Sequence, residues 1–383
     1  MGANRTHGQW WDWHGDQVTV DVAEVRAFGH AAYEAAGASP DDAAWLFDAL
    51  FDKTLQGDHA RGLVYLPGMI KGALAGEPDL APAIRIVRER GATAVIDGGE
   101  GKPARPNDLV CRSAMRLAID KAKEHGVGVV GAQSGSRLLT PLVQMAIDAG
   151  MIGIVMTQSI PTVAPVGGFQ ALLGNGPTAI GIPAGDRDPV IFDLSFTETS
   201  SSPVLLAARQ GEQIPPGLIL DADGQPTTDA RDYFDGDLTD TVGHIAVKGS
   251  LAPIGGGHKG YALLFVIGLL VQVLSETDPP WDLAAGVDGG RFGSLHLALD
   301  PTAFNPGDVG SQVDRFIGTV TSAPVAPGKG EVLYPGQRSQ ELRRAQVAVG
   351  TVEVPRPQAE ALCELGPLLG IEVPASLAAH GVA

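Results

Sequence analysis

One stretch constrains this chain more than any other: Pro253-Ile254-Gly255-Gly256-Gly257-His258-Lys259-Gly260-Tyr261-Ala262-Leu263. Four glycines surround a single lysine, and the apolar run from Tyr261 to about Leu274 reads as a helix. Glycine permits positive φ and lets a backbone approach its neighbour or a ligand closely. A helix start presents unpaired N–H groups and the positive end of the dipole, which favours an anion. Lys259 adds a mobile positive charge at the same spot. The stretch therefore reads as an anion or nucleotide cradle, or else as a tight turn before a buried helix.

Gly255, Gly257 and Gly260 also spell G-x-G-x-x-G, and Glu276 lies at a distance suited to a ribose contact. That fingerprint needs a buried strand before it and a parallel strand after it. Val247-Lys248-Gly249-Ser250-Leu251-Ala252-Pro253 makes a poor buried strand, because glycine and proline interrupt it. Thr277-Asp278-Pro279-Pro280 reads as a turn. The context argues against a Rossmann site.

At 383 residues the chain has room for two or three domains, and 44% hydrophobic residues suffice for a large core. A net charge of −17 opposes nucleic acid and anionic membranes as partners. The two cysteines, Cys111 and Cys363, fall within apolar helical patterns as inert buried thiols. Two cysteines without a secretory leader fit a reducing cytoplasm. The run Tyr261 to Leu274 is shorter than the ~20 residues a bilayer crossing needs. Residues 1–17 read as an irregular extension whose Trp10, Trp11 and Trp13 should dock on this or a neighbouring subunit.

Helices are expected over 21–37 and from Ser39, where Pro40 and Asp41-Asp42 make a strong start. The polar loop Gln56 to Pro67 carries His59, Arg61 and Tyr65, a site candidate. Ile84–Val87 and Thr93–Ile96 read as a strand pair, Asp108–His125 as a helix and Val127–Val130 as a short buried strand. A turn holds Ser136 and Arg137, followed by a helix at Pro141–Gly150 and a strand at Ile152–Thr157 that leads to Ser159. Further strands are expected at Ala179–Ile182, Val190–Phe192 and His296–Asp300. Residues 221–243 read as an acidic surface excursion, Phe304 to Ile317 as helical, and Pro357–Leu369 as a helix returning to the first domain. The alternation of strands and helices argues an α/β core.

No zinc pattern, nucleophile elbow or phosphate loop occurs, so no metal is expected. The ionisable candidates are His59, Arg61, Tyr65, Arg137, Asp193, His258, Lys259 and His296.

Gly57 to Pro67, Gly167-Gly168, Leu173-Gly174-Asn175-Gly176-Pro177, Asp193-Leu194-Ser195, Pro253 to Leu263 and Pro335-Gly336-Gln337 occur in this order. Together they resemble the malate/L-lactate dehydrogenase family of the non-Rossmann type, which includes ureidoglycolate, sulfolactate, diketogulonate and piperideine-carboxylate oxidoreductases. The resemblance covers roughly residues 20–370, and Gly256 to Leu263 is its most specific part. It implies a cytoplasmic homodimer with a non-Rossmann α/β fold. The cofactor domain (109–324) would be inserted between the parts of a second domain (18–108 plus 325–383). It also implies NAD or NADP as cofactor and a small anionic substrate. The matching cofactor positions are Ser159, Asp193, Leu194, Ser195, Lys259, Pro335, Gly336 and Gln337, with Gln337 standing where the family usually has Glu.

The catalytic positions depart from the family pattern. Its G-H-x-S-H-G-x-x-R-L-P becomes Gly57-Asp58-His59-Ala60-Arg61-Gly62-Leu63-Val64-Tyr65-Leu66-Pro67. The proton-transferring histidine is Ser136, and the usual Gly-Lys pair is Ser202-Pro203. Serine cannot replace histidine as a proton donor tuned near neutral, a contribution of about 10²–10⁴ in rate. Loss of the arginine at Tyr65 removes a bidentate carboxylate clamp. Arg61 and Arg137 are candidates to replace the clamp, and His59, Tyr65 or Lys259 to supply the proton. The expectation is an NAD(P)H-dependent oxidoreductase with a remodelled pocket, reducing a C=N or C=C bond or an unusual 2-oxo acid. It requires Lys259 to share a cavity with Arg61 and Ser136. The alternatives are a non-redox enzyme on the same fold (proton transfer, condensation or cyclisation) and a non-catalytic homologue.

Overall fold

The computed structural model describes residues 13–99, 106–236, 238, 246–283 and 290–379. Trp10 and Trp11 lie outside these, as do parts of the 221–243 stretch. Strand β1 (Gln17–Asp21) opens the fold, so Gln17 already belongs to a strand rather than to an irregular extension. Helices α1 (Val22–Ala35) and α2 (Pro40–Leu55) follow. Asp21 and Ser39 cap them by accepting the Glu24 and Asp42 amides at 2.9 and 3.2 Å. Helix α3 is Leu66–Leu74, and β2 (Arg85–Arg90) and β3 (Thr93–Asp97) form an antiparallel pair. Helix α4 (Asp108–His125) runs as the pattern predicts, from an Asn107 cap to Gly126 in the left-handed region at φ 76.

The core sheet continues with β4 (Val127–Ala132), α5 (Thr140–Asp148), β5 (Ile152–Thr157), β6 (Thr178–Ile182) and β7 (Val190–Leu194). Helix α6 (Ser201–Gln210) precedes the short strands β8 (Ile219–Leu220), β9 (Pro226–Thr227), β10 (Phe234–Asp235), β11 (Ala246–Val247) and β12 (Ser250–Leu251). Then come α7 (His258–Ser275), α8 (Pro280–Leu283), β13 (Ser294–Leu299), α9 (Pro301–Phe304) and α10 (Val309–Thr321). The chain closes with α11 (Gln337–Val349), β14 (Thr351–Pro355), α12 (Arg356–Cys363), α13 (Leu365–Leu369) and α14 (Ala375–Ala378).

Seven strands form the main sheet in the order β2-β3-β4-β13-β5-β6-β7. β3 and β4 pair in parallel and the other neighbours are antiparallel. β13, late in the sequence, sits at the centre between β4 and β5, with His296 opposite both Val130 and Val155. Alternation along the strands gives the sheet two apolar faces. Val130, Val155 and Ala298 pack on α4 and α5, whereas Leu295, Val129 and Met156 pack under Ile267 and Val271 of α7. A separate core joins the β1–β14 pair to α1, α2, α3 and the C-terminal helices, so the returning end does pack on the N-terminal helices.

Three expectations need correction. The acidic stretch after residue 221 is no mere surface excursion, because Ala230, Tyr233 and Phe234 are buried with Val163, Val204 and Leu251 in a third core. The Phe304–Ile317 stretch is two helices, and Phe304 itself is exposed. Helix α7 begins at His258 and is long and apolar enough, by length and composition alone, to cross a membrane. Its inner face nevertheless packs on the sheet through Ile267 and Val271, and Leu264 joins the third core. Nor is it fully buried. Leu263, Phe265, Val266, Leu269 and Val273 are exposed, Val273 to 62%.

Candidate active site

Three of the expected site residues, Arg61, Tyr65 and Asp193, come together at the edge strand β7. Ile191 and Asp193 project from one face of that strand, toward the end of α2 and the start of α5. Lys53, in the last turn of α2, donates to Asp193 Oδ2 at 3.0 Å and to Thr140 Oγ1 at 3.2 Å. Thr140 Oγ1, at the N-terminus of α5, donates to the same Oδ2. The Lys53 and Asp193 side chains are only 12% and 18% exposed. Burial works against the Asp193 charge, but Lys53, the Thr140 hydroxyl and the nearby Arg61 outweigh it and hold the carboxyl below its ordinary range.

The polar loop after α2 delivers Arg61 and Tyr65 to the same place. Arg61 Nε lies 2.8 Å from Asp58 Oδ2. Burial opposes its charge, while Asp58, Asp193 and Tyr65 raise its pKa on balance. The Tyr65 hydroxyl is 2.6 Å from Ser202 Oγ, in the first turn of α6. Arg61, Tyr65, Asp193 and Ser202 therefore form one polar mouth. His59 lies in the same loop, its carbonyl accepting from Gln358 Nε2 at 2.9 Å.

The Pro335-Gly336-Gln337 turn docks on β7 beside this mouth. Pro335 accepts the Ile191 amide at 3.1 Å, and Gly336, at φ 90, sits so close that a Cβ would crowd Ile191 at 3.1 Å. Gln337 braces the turn, accepting the Tyr334 amide at 3.3 Å and donating to Glu341 at 2.9 Å. A cavity of about 560 Å³ opens between α2, α5, β7 and α11, lined by Lys53, Thr140, Ile191, Gln340 and others.

From Asp193 the chain leads to the glycine cradle. Leu194 is exposed, and Ser195 Oγ is 2.9 Å from Thr197 Oγ1. Phe196 accepts the Ile254 amide at 3.0 Å, and Thr197 bridges Pro253. Ser159 Oγ accepts the Asn175 amide at 3.0 Å on the wall of an apolar crevice beside Leu264 and Phe265. Gly255 and Gly256 adopt positive φ of 72 and 62 in the cradle. The carboxylate of Glu198, part of the chain itself, accepts the Gly255 amide at 2.7 Å. Gly260 is needed for close approach, since a Cβ there would overlap the Ile254 backbone. The two-residue β12 before the cradle belongs to a small three-stranded sheet, which excludes a Rossmann βαβ unit.

Other expected residues lie apart from this mouth. Ser136 is buried, its Oγ donating to Asp108 Oδ1 at 2.6 Å. Arg137 gives its backbone N–H to the same carboxylate at 3.1 Å, and its side chain faces a small hollow beside Trp45, Leu50 and Met69. Lys259 is exposed at the start of α7 and lines none of the three cavities beside Lys53, Ser159 and Arg137. His258 is exposed beside Lys259, and His296 is a core residue whose Nε2 meets Ser294 Oγ at 2.8 Å. Among the described residues no group of three or more His, Cys, Asp or Glu is placed to hold a metal.

Two residues that sequence reasoning passed over, Lys53 and Thr140, make the closest contacts to Asp193. Lys53 looks like an ordinary last-turn lysine on α2. Nothing local distinguishes it from a solvated one.

The fold is that of an NAD(P)-dependent oxidoreductase outside the Rossmann class. A sequence model described as malate/L-lactate dehydrogenase matches residues 20–363, and the chain belongs to that family. It is 32% identical over 362 residues to the malate/(S)-sulfolactate dehydrogenase of Methanothermus fervidus, covering 93% of this chain and 99% of that one. It is 30% identical over 348 residues to the Delta(1)-pyrroline-2-carboxylate/Delta(1)-piperideine-2-carboxylate reductase of Pseudomonas syringae pv. tomato, covering 89% and 90%. Among solved structures, the sulfolactate dehydrogenase of Methanocaldococcus jannaschii superposes with a TM-score of 0.76 at 27% identity, covering 93% of this chain and 98% of that one.

Proposed function

We propose that this chain is an NAD(P)H-dependent reductase with a remodelled substrate pocket, acting on a C=N or C=C bond or an unusual 2-oxo acid. One observation carries the reading. The cofactor-side positions Asp193 and Pro335–Gln337 stand beside Arg61 and Tyr65, while Ser136, at the family's proton-donor position, is locked against Asp108. A carbonyl gains both a hydride and a proton on reduction. A protonated cyclic imine brings its proton with it and loses less when the donor is absent. The similarity to a pyrroline- and piperideine-carboxylate reductase supports this choice.

The residues fit a dinucleotide. Asp193 offers a carboxylate at a strand end, and Gly336 keeps the Pro335–Gln337 turn against β7 beside a cavity of suitable size. When bound, the nicotinamide supplies the hydride. Arg61 holds an anionic substrate group, and the Tyr65 hydroxyl, hydrogen-bonded to Ser202, orients the substrate and supplies a proton where one is needed. On this reading the 109–324 unit carries the cofactor, and the 18–108 plus 325–383 unit closes the cleft over it.

The exposed outer face of α7 is read as a contact between two copies of the chain. Leu263, Phe265, Val266, Leu269 and Val273 are too apolar a group to leave in water, and Lys259 begins the same helix. The second copy would close the surroundings of Lys259, which a single chain leaves open.

The test is to supply stereospecifically deuterated NADH or NADPH with a cyclic imine carboxylate, an α,β-unsaturated acid or a 2-oxo acid. Deuterium should appear in the product, fastest with the imine. Binding of the cofactor with no deuterium transfer to any of the three classes would refute the reading.

A further inference from the structure

We infer that Thr54, in the last turn of α2, is a positioning residue that fixes where Arg61 and Tyr65 stand. The inference rests on the reductase reading and adds to it the group that holds its two working side chains. Thr54 is fully buried, and a buried threonine on a core-facing helix is ordinarily a packing residue. Here its Oγ1 reaches off the helix and accepts the Leu63 amide at 2.9 Å, nine positions later. Arg61 lies two residues before Leu63 and Tyr65 two after it, so the bond ties the chain midway between them.

The approach is close enough to dictate the residue opposite. A Cβ on Gly62 would lie 2.0 Å from Thr54 Oγ1 and 2.8 Å from the Thr54 amide nitrogen, so glycine is required there. The Thr54 carbonyl accepts the Gly57 amide at 2.9 Å, and the Lys53 carbonyl accepts the Asp58 amide at 2.9 Å. The loop from Gly57 to Leu63 is thus bonded to α2 at both of its ends. From the other side Gln358 Nε2 donates to the His59 carbonyl at 2.9 Å. Neighbouring residues on one helical turn therefore serve the two sides of the mouth, Lys53 through Asp193 on β7 and Thr54 through the loop.

Losing the hydroxyl leaves the buried Leu63 amide without its acceptor, and the segment relieves that by shifting toward water. A shift of about 1 Å in a positioned group lowers a rate by about 10². Arg61 and Tyr65 flank the freed point, so grip on the anionic group and delivery of the proton fall together.

The experiment compares the full chain with Thr54→Val and Thr54→Ser by two readouts. Amide hydrogen exchange followed by mass spectrometry reports the order of the peptide spanning Arg61–Tyr65. Transfer from stereospecifically deuterated NADH or NADPH to a 2-oxo acid and to a protonated cyclic imine gives kcat and KM. Thr54→Val should exchange about tenfold faster in that peptide and raise KM for both substrates. Its kcat/KM should fall by about 10² for the 2-oxo acid and only about tenfold for the imine. Thr54→Ser should restore exchange and kinetics to within about threefold, since it keeps the acceptor. The losses of Thr54→Val and Tyr65→Phe should combine to well under their product, because one acts through the other. A residue that only packs would lower stability without changing the ratio between the two substrates. Where Thr54→Val does not fold, Thr54→Ala removes the same acceptor without setting a methyl against the Leu63 amide. Unchanged exchange overturns the inference, as do faster exchange with unchanged kinetics and a Thr54→Ser variant as impaired as Thr54→Val. Transfer absent already in the unaltered chain overturns the reductase reading instead, and the exchange result alone then decides whether Thr54 fixes the loop.

Discussion

Replacing Lys53 with methionine tests the link on which the mouth is built. The side chains of Lys53 and Asp193 are 12% and 18% exposed, so solvent screens their pair weakly. Removing one partner of a buried pair typically costs about 3–5 kcal/mol. Here the Thr140 hydroxyl still reaches Asp193 Oδ2 and Arg61 remains nearby, so about 2–4 kcal/mol is expected at pH 7. The pH dependence sharpens the test. In the unaltered chain Asp193 has a depressed folded pKa, so its stabilisation is present above the unfolded carboxylate value and is lost only as pH falls through the lower folded value. In Lys53→Met burial dominates and Asp193 titrates above its unfolded value. The penalty then grows with pH up to that raised value and shrinks as acid protonates the group. The deficit should therefore be smaller at pH 5 than at pH 7. Urea unfolding at both pH values measures this. Lys53→Met/Asp193→Asn should recover much of the loss, with a coupling of about 2 kcal/mol in the double-mutant cycle. A deficit equal at pH 5 and pH 7, with no coupling, would show that Lys53 does not hold Asp193 in solution.

Four further outcomes are expected. Ser136→Ala should lower stability by about 1.5–3 kcal/mol, the effect of breaking a hydrogen bond to a charged group. It should leave kcat within about threefold, and a drop of 10² or more would return Ser136 to proton transfer. Tyr65→Phe should lower kcat/KM for a 2-oxo acid by about 10²–10⁴ and for an already protonated imine much less, because one substrate needs a donor and the other does not. His296 is fully buried, and burial lowers its pKa from 6.5 to about 3. The unfolded chain therefore binds a proton between those values that the folded chain refuses. Stability should fall with pH across that window, by up to about 4–5 kcal/mol in all. His296→Asn should flatten the acid limb of a urea-midpoint profile, and an unchanged limb would count against the assignment. Leu269→Asp with Val273→Asp on the outer face of α7 should give a monomer in sedimentation equilibrium without lost secondary structure. A sedimentation mass unaltered by these changes would remove the proposed contact between copies.

The frame was legible wherever local chemistry set it. Asn107 and Gly126 bound α4 because capping and positive φ are short-range demands. The central place of β13 was not legible, since register against β4 and β5 depends on which apolar face meets α7 and which meets α4. Helix α11 and strand β14 were also missed. α11 buries none of its residues and so carries no apolar stripe to betray it, and β14 is defined by pairing with β1 more than 300 residues earlier in the chain. The resemblance groups Asp193, Arg61, Tyr65 and the Pro335–Gln337 turn; in the structure Arg61 lies near Asp193 and Tyr65, and Pro335 accepts the Ile191 amide on β7.

Three residues whose surroundings the local sequence leaves open share one property: their contacts are set by partners distant in sequence. Ser136 aligns with a proton donor, yet Asp108, 28 residues away, takes its hydroxyl. Glu198 reaches 57 residues to occupy the Gly255 amide, so part of the glycine cradle is filled from within. Lys53 reaches 140 residues to Asp193. In each case one charged group decides whether a neighbouring polar atom can serve a ligand. Motif spacing reports which atoms a family places around its ligand. The partners gathered around those atoms decide which of them remain free to act.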